Sequence, residues 1–114
     1  MSILNLPFSP PSFTKEEEEA VLDCIKSRWV GTGPKTIDFE KKFALYKDVN
    51  YSAALSSCTS ALFLSLKALG IQEGDEVITT AMTFCSSVNV IIHCGAKPIL
   101  CDIDLYSKNI DVNQ

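Results

Sequence analysis

"YSAALSSCTSALFLSLKALG", residues 51–70, sets a cluster of small hydroxyl residues against an apolar run of helical period. Ala61, Leu62, Leu66 and Leu69 carry that period, and Gly70 stands where helices place a glycine past the C-terminus. The stretch before it, Val49 to Leu55, is short and bounded by turn residues, which predicts a buried strand. A strand ending at Leu55 and a helix starting near Thr59 form a strand-to-helix turn, the edge at which open α/β sheets bind ligands. Ser56, Ser57, Cys58, Thr59 and Ser60 occupy that turn. Two readings follow. Ser57 or Thr59 simply caps the helix; or small side chains leave the first-turn N–H groups open to an anion, with the Thr59 hydroxyl as a further donor. The local pattern supports the cap at least as well as the anion.

Upstream, Thr14 and Glu17 have the spacing of a capping box, and Glu16 to Glu19 suit the positive end of a helix dipole. That acidic run reads as a solvated first turn and not as a metal site. Ala20, Val21, Cys24 and Ile25 repeat at helical spacing, with Trp29 one turn further on. "GTGPK" (Gly31 to Lys35) breaks the helix, and a second is predicted from about Thr36, with Ile37, Phe39, Phe43 and Tyr46 as its apolar members. Residues 1–13, rich in Pro and Ser, read as an extended arm.

Downstream, "QEGDE" is a turn and "EVITT" (Glu76 to Thr80) a strand. "TFCSSVNVIIHCG" reads as a helix closing at Gly95, "KPILCDID" (Lys97 to Asp104) as a third strand, and Asn109 to Val112 as the beginning of a fourth element. Strands alternating with helical crossovers predict an α/β layer structure with a mostly parallel sheet. A doubly wound sheet ordinarily continues past such a point. The sequence therefore reads as the front part of something larger.

Composition narrows the function. A net charge of −4 argues against nucleic-acid binding, which needs a basic face. No apolar run approaches the roughly 20 residues of a membrane span. "MSILNLPFSPPSF" lacks the basic start and continuous apolar stretch of a signal peptide, so a cytoplasmic location is the default expectation. The five cysteines include no C-x-x-C pair, and with His93 as the sole imidazole neither a disulfide framework nor a metal site is expected. Asp102 and Asp104, around Ile103, read as turn formers. No Walker loop, no G-x-G-x-x-G after a strand and no nucleophile–base pair is present.

Three blocks, "WVGTGPKTIDFEKKFALY", "SSCTSALFLSLKALGIQEGDEVITTAMTF" and "GAKPILCDID…NID", resemble the opening third of DegT/DnrJ-type (StrS-like) sugar aminotransferases. The resemblance runs over nearly the whole chain with the motifs in order. It implies a pyridoxal-phosphate (PLP) enzyme of fold type I, like aspartate aminotransferase, with residues 14–114 forming the first part of the PLP-binding large domain. The motif Ser57-Cys58-Thr59-Ser60-Ala61-Leu62 matches the family's phosphate-binding segment. By that match Cys58 and Thr59 supply N–H groups, and Thr59 a hydroxyl, to the cofactor phosphate. Cys58 stands where glycine is commoner, a small departure. Phe84 matches the aromatic residue that stacks on the pyridine ring, whereas a lone Phe would otherwise read as core packing. Gly31 and Thr32 are placed near the mouth, where substrate and a neighbouring subunit meet.

The resemblance also implies a nucleotide-linked keto-sugar substrate, glutamate as amino donor, and a homodimer in the intact enzyme. The Schiff-base lysine, which shuttles the proton, and the carboxylate beside the pyridine nitrogen lie past the matched region in the family. The lysines present do not match that catalytic lysine. The chain is thus expected to be inactive alone. It reads as a truncated segment of such an enzyme, as one half of a split enzyme completed by a C-terminal chain, or as a non-catalytic phosphate-binding or interaction module.

Overall fold

Thr14 begins the first helix, α1 (Lys15–Ser27), in a computed structural model that describes residues 9–114; of the arm expected over 1–13, residues 1–8 lie outside the described part. The Thr14 hydroxyl accepts the Glu16 N–H at 3.2 Å. Glu17 Oε2 accepts the Thr14 N–H at 2.5 Å and its hydroxyl at 2.6 Å, which closes the capping box that the spacing predicts. The Thr14 hydroxyl, followed by its N–H, holds the Glu17 carboxyl below the ordinary value of 4.5. A lowered carboxyl stabilises the folded helix fully above the unfolded value, and that contribution fades as pH falls through the lower, folded one. The α1 helical signal should therefore decline in acid below about pH 4.5. Glu17→Gln keeps an acceptor for Thr14 but does not titrate. Circular dichroism against pH should show a smaller acid loss in this variant, and identical curves would refute the assignment.

Arg28 ends α1 in left-handed backbone (φ 62°), its N–H bonded to Ile25 O at 3.1 Å. Trp29, which spacing places one turn along the helix, therefore lies beyond it. Its Nε1 donates to Thr32 O at 2.9 Å, and its indole ring lies over Gly33 so closely that a Cβ there would overlap it. Helix α2 (Pro34–Tyr46) starts two residues before the predicted Thr36. Pro34 takes the first helical position, where the missing N–H costs nothing because that donor has no intrahelical partner. Of α2 only Ala44 is buried; Phe39 and Phe43 stack at 5.8 Å along the exposed side.

No strand forms over 49–55, contrary to the expected buried strand. A strand exists only with a neighbour to pair with, and the two strands of the described sheet pair with each other and not with this segment. The segment is held by α2 instead: Ser52 Oγ donates to Glu40 O at 2.6 Å, and the Ala54 N–H donates to Glu40 Oε1 at 2.8 Å. Residues up to Ala54 make one compact unit, and Leu55–Gln114 make a second.

In the second unit, helix α3 (Cys58–Ala68) ends with Gly70 at φ 81°, a conformation that Gly adopts without strain. The predicted turn follows, with Gln72 and Asp75 bonded to each other in both directions. Strand β1 (Glu76–Thr80), helix α4 (Ser86–His93) and strand β2 (Lys97–Cys101) form a β–α–β crossover. The strands are parallel, in register from Glu76 opposite Lys97 to Thr80 opposite Cys101. Helix α4 packs on both strands and on α3, and its Val90 and Ile91, with Cys94 and Ala96 just after it, form this unit's buried core. Ile78 and Leu100, on opposite sheet faces by register and pleat, are 65% and 60% exposed.

Strand β2 ends three residues before the predicted Asp104. Ile103 instead makes an isolated antiparallel bridge to Ile110, where the sequence reading placed a further element. Asp104 Oδ1 accepts the N–H groups of Tyr106 and Ser107 at 3.2 and 2.7 Å, in line with its reading as a turn former. The Ser107 N–H, and then its hydroxyl, hold the Asp104 carboxyl below its ordinary value. Among the described residues no helix is long and apolar enough to cross a membrane.

Candidate functional site

At the start of α3 the hydroxyl cluster divides into a residue that caps the helix and residues that do not. Ser57 is the cap: its backbone is extended (φ −162°, ψ 159°) and its Oγ accepts the Ser60 N–H at 3.1 Å. The Ser60 hydroxyl sits 3.0 Å from Ser57 Oγ and 3.3 Å from Ser56 Oγ, so three serines form one small network. The Ser57 carbonyl takes the Ala61 N–H at 3.1 Å. The cap thus takes the third amide of the turn, and the first regular helical bond takes the fourth.

The first two remain. Cys58 and Thr59 are exposed, and neither their N–H groups nor the Thr59 hydroxyl has a hydrogen-bond partner among the described residues. Two unpaired amides and a hydroxyl at the positive end of an 11-residue helix make a compact set of donors for an anion. No acidic residue lies in that first turn to oppose one. This donor set fits a phosphate.

Phe84 lies on the connection from β1 to α4, the helix that packs against α3. It is 75% exposed, so the core does not use its ring. Its carbonyl accepts the Ser87 N–H at 2.9 Å, while Thr83 Oγ1 and Ser87 Oγ meet at 3.0 Å. These contacts brace the turn that carries this exposed aromatic side chain.

Gly31 and Thr32 belong to the first unit, on the α1–α2 connection. Open space surrounds Gly31, and the Thr32 carbonyl is engaged by Trp29. A cleft beside them is lined mainly by α1, Trp29 and the start of α2. Sequence reasoning did not anticipate Glu40, whose backbone and side chain both hold the segment leading into α3. Its partners lie 12 and 14 residues away, beyond the reach of any local pattern. Among the described residues no group of three or more His, Cys, Asp or Glu side chains could hold a metal.

A β–α–β crossover preceded by a helix with open N-terminal donors defines an α/β layer protein. The chain belongs to the DegT/DnrJ/EryC1/StrS aminotransferase family, whose model matches residues 11–114. The spore coat polysaccharide biosynthesis protein SpsC of Bacillus subtilis is 50% identical over 106 residues, covering 93% of this chain and 27% of SpsC. Among solved structures, Streptococcus pneumoniae Spr1654, described as a sugar aminotransferase, superposes in its PLP-form with a TM-score of 0.89 at 42% identity. That match covers 96% of this chain and 28% of Spr1654. The E. coli GDP-4-keto-6-deoxy-D-mannose-3-dehydratase shares the fold at a TM-score of 0.90 and 24% identity, covering 98% of this chain and 30% of the dehydratase. The chain thus spans between a quarter and a third of the length of these relatives, and its fold is the corresponding part of a PLP-dependent transferase of fold type I.

Proposed function

We propose that residues 14–114 are the first part of the PLP-binding large domain of an aminotransferase acting on nucleotide-linked keto-sugars, with residues 1–13 as an arm and glutamate as amino donor. The observation that carries this reading is the donor set at the start of α3, found in a member of this family. Cys58 and Thr59 give their N–H groups to the PLP phosphate, and Thr59 adds its hydroxyl. Ser57 leaves those donors open by satisfying Ser60 instead. Phe84 offers its exposed face to the pyridine ring, where offset stacking contributes about 0.5–1.5 kcal/mol beyond area burial. Gly31 and Thr32 lie by the substrate. When bound, PLP supplies an electron sink for the carbon that exchanges its amino group.

The Thr59→Val variant tests the assignment. It keeps the side-chain shape and removes one donor to a charged group, a loss of about 1.5–3 kcal/mol. Titration calorimetry with PLP and with inorganic phosphate should show correspondingly weaker binding of both. Unchanged affinity would reduce the cluster to a helix cap.

The 114-residue chain is expected to bind without turning over. A lysine that attacks a carbonyl cofactor needs an amine whose proton is easily lost, which burial or a neighbouring cation provides. Every lysine among the described residues is exposed. Incubation with PLP followed by borohydride reduction should leave no stoichiometrically modified lysine by mass spectrometry, and glutamate should donate nothing to a keto-sugar nucleotide. A single modified lysine, or measurable transfer, would overturn this expectation. Turnover is expected once a chain carrying the catalytic lysine completes the domain.

A further inference from the structure

We infer that Glu40 is a positioning residue for the phosphate-binding turn, an inference that rests on the reading of the α3 donor set given above. The sequence places Val49–Leu55 in a strand, yet nothing pairs with it among the described residues. One residue replaces the missing ladder. The Glu40 carbonyl accepts the Ser52 hydroxyl at 2.6 Å and its carboxylate accepts the Ala54 N–H at 2.8 Å. Both bonds are part-buried, which shields them from competing water.

A carboxylate accepting a backbone N–H makes a stronger bond than a neutral acceptor does. Its location gives it a role. Ala54 stands three residues before the cap Ser57 and four before the first free donor, Cys58. Pinning residues 52 and 54 leaves only a short link, Leu55 and Ser56, to be ordered when Ser57 adopts its extended cap conformation. Without the pin the whole stretch from the end of α2 is free, and presenting two aligned N–H groups to an anion costs more conformational entropy. Glu40 itself contributes no donor to the phosphate. Other acidic groups on α2 do different work: Asp38, for instance, pairs with Lys42 at 2.7 Å along the exposed helix.

The test uses the full chain, with PLP and inorganic phosphate as probes in calorimetry and amide hydrogen exchange as a second readout. Glu40→Ala should weaken both ligands by about five- to tenfold, the scale of one lost hydrogen bond. Glu40→Gln, which keeps an acceptor for the Ala54 N–H, should recover most of that loss. Ser52→Ala removes the other tie and should weaken binding in the same direction, whereas Asp38→Ala should not. Exchange should quicken at Ala54 and at the amides of Ser60 and Ala61 in Glu40→Ala, with the helical signal of the chain retained. Rescue by glutamine separates positioning from general loss of fold. Binding and exchange both unchanged in Glu40→Ala would overturn the inference. Absence of binding by the unsubstituted chain, with the exchange effect present, would overturn the phosphate reading instead.

Discussion

Cys58→Asp is expected to weaken phosphate and PLP binding at least tenfold while strengthening the helix that it opens. A carboxylate at the first helical position favours the positive end of the dipole by about 0.3–1 kcal/mol, so α3 itself gains. The same carboxylate stands where the anion must sit. Unit charges about 4 Å apart repel by roughly 1 kcal/mol in bulk water and about 4 kcal/mol near a protein surface, and a doubly charged phosphate increases the effect. The net expectation is a loss of at least tenfold, accompanied by unchanged or higher helicity. This divergence discriminates between the two readings of the serine cluster. A simple cap predicts gain without loss. Calorimetry beside circular dichroism reads both signs, and retained binding would remove the phosphate from this turn.

The second large effect concerns association. Parallel strands are ordinarily covered on both faces, yet Ile78 and Leu100 project exposed from opposite faces of the β1–β2 pair. The buried core of the second unit consists of Val90, Ile91, Cys94 and Ala96, while Leu64, Leu69, Met82 and Phe84 stay exposed. Apolar surface on this scale marks an interaction face or an aggregation liability, and two short strands with open edges add unpaired backbone groups. The 114-residue chain should bind an apolar dye such as anilinonaphthalene sulfonate, unfold over a broad temperature range and self-associate at micromolar concentration. Sedimentation velocity and scanning calorimetry check this. A monomer with one sharp, reversible transition would show that its limited core suffices.

The parts of the fold legible in the sequence are those governed by near neighbours. Thr14 and Glu17 are three residues apart, and the capping box forms as their spacing predicts. Strand β1 keeps its predicted limits, and Gly70 and Gly95 adopt positive φ where the helices end. The failures have a common cause. Residues 49–55 look like a strand because local pattern cannot reveal whether a partner strand is adjacent, nor that Glu40 would take its place. Trp29 fits the helical period, but Arg28 turns left-handed first, and the indole bonds to Thr32 instead. The candidate site was half legible in the same sense. Small hydroxyl residues before a helix announce an open or capped N-terminus. Only the geometry separates Ser57, which caps, from Cys58 and Thr59, which do not.

The indole of Trp29 lying on Gly33 makes these two positions a single inherited unit. Any L-residue at 33 would drive its Cβ into the ring, so a lineage that changed the glycine would first have to lose or reorient the tryptophan. Substitution in the other order is open: a smaller residue at 29 releases the glycine to vary afterwards. Among descendants of this sequence, a larger residue at 33 should therefore occur in company with a replaced or reoriented Trp29. That one-way order of change is written into a contact between two residues four positions apart.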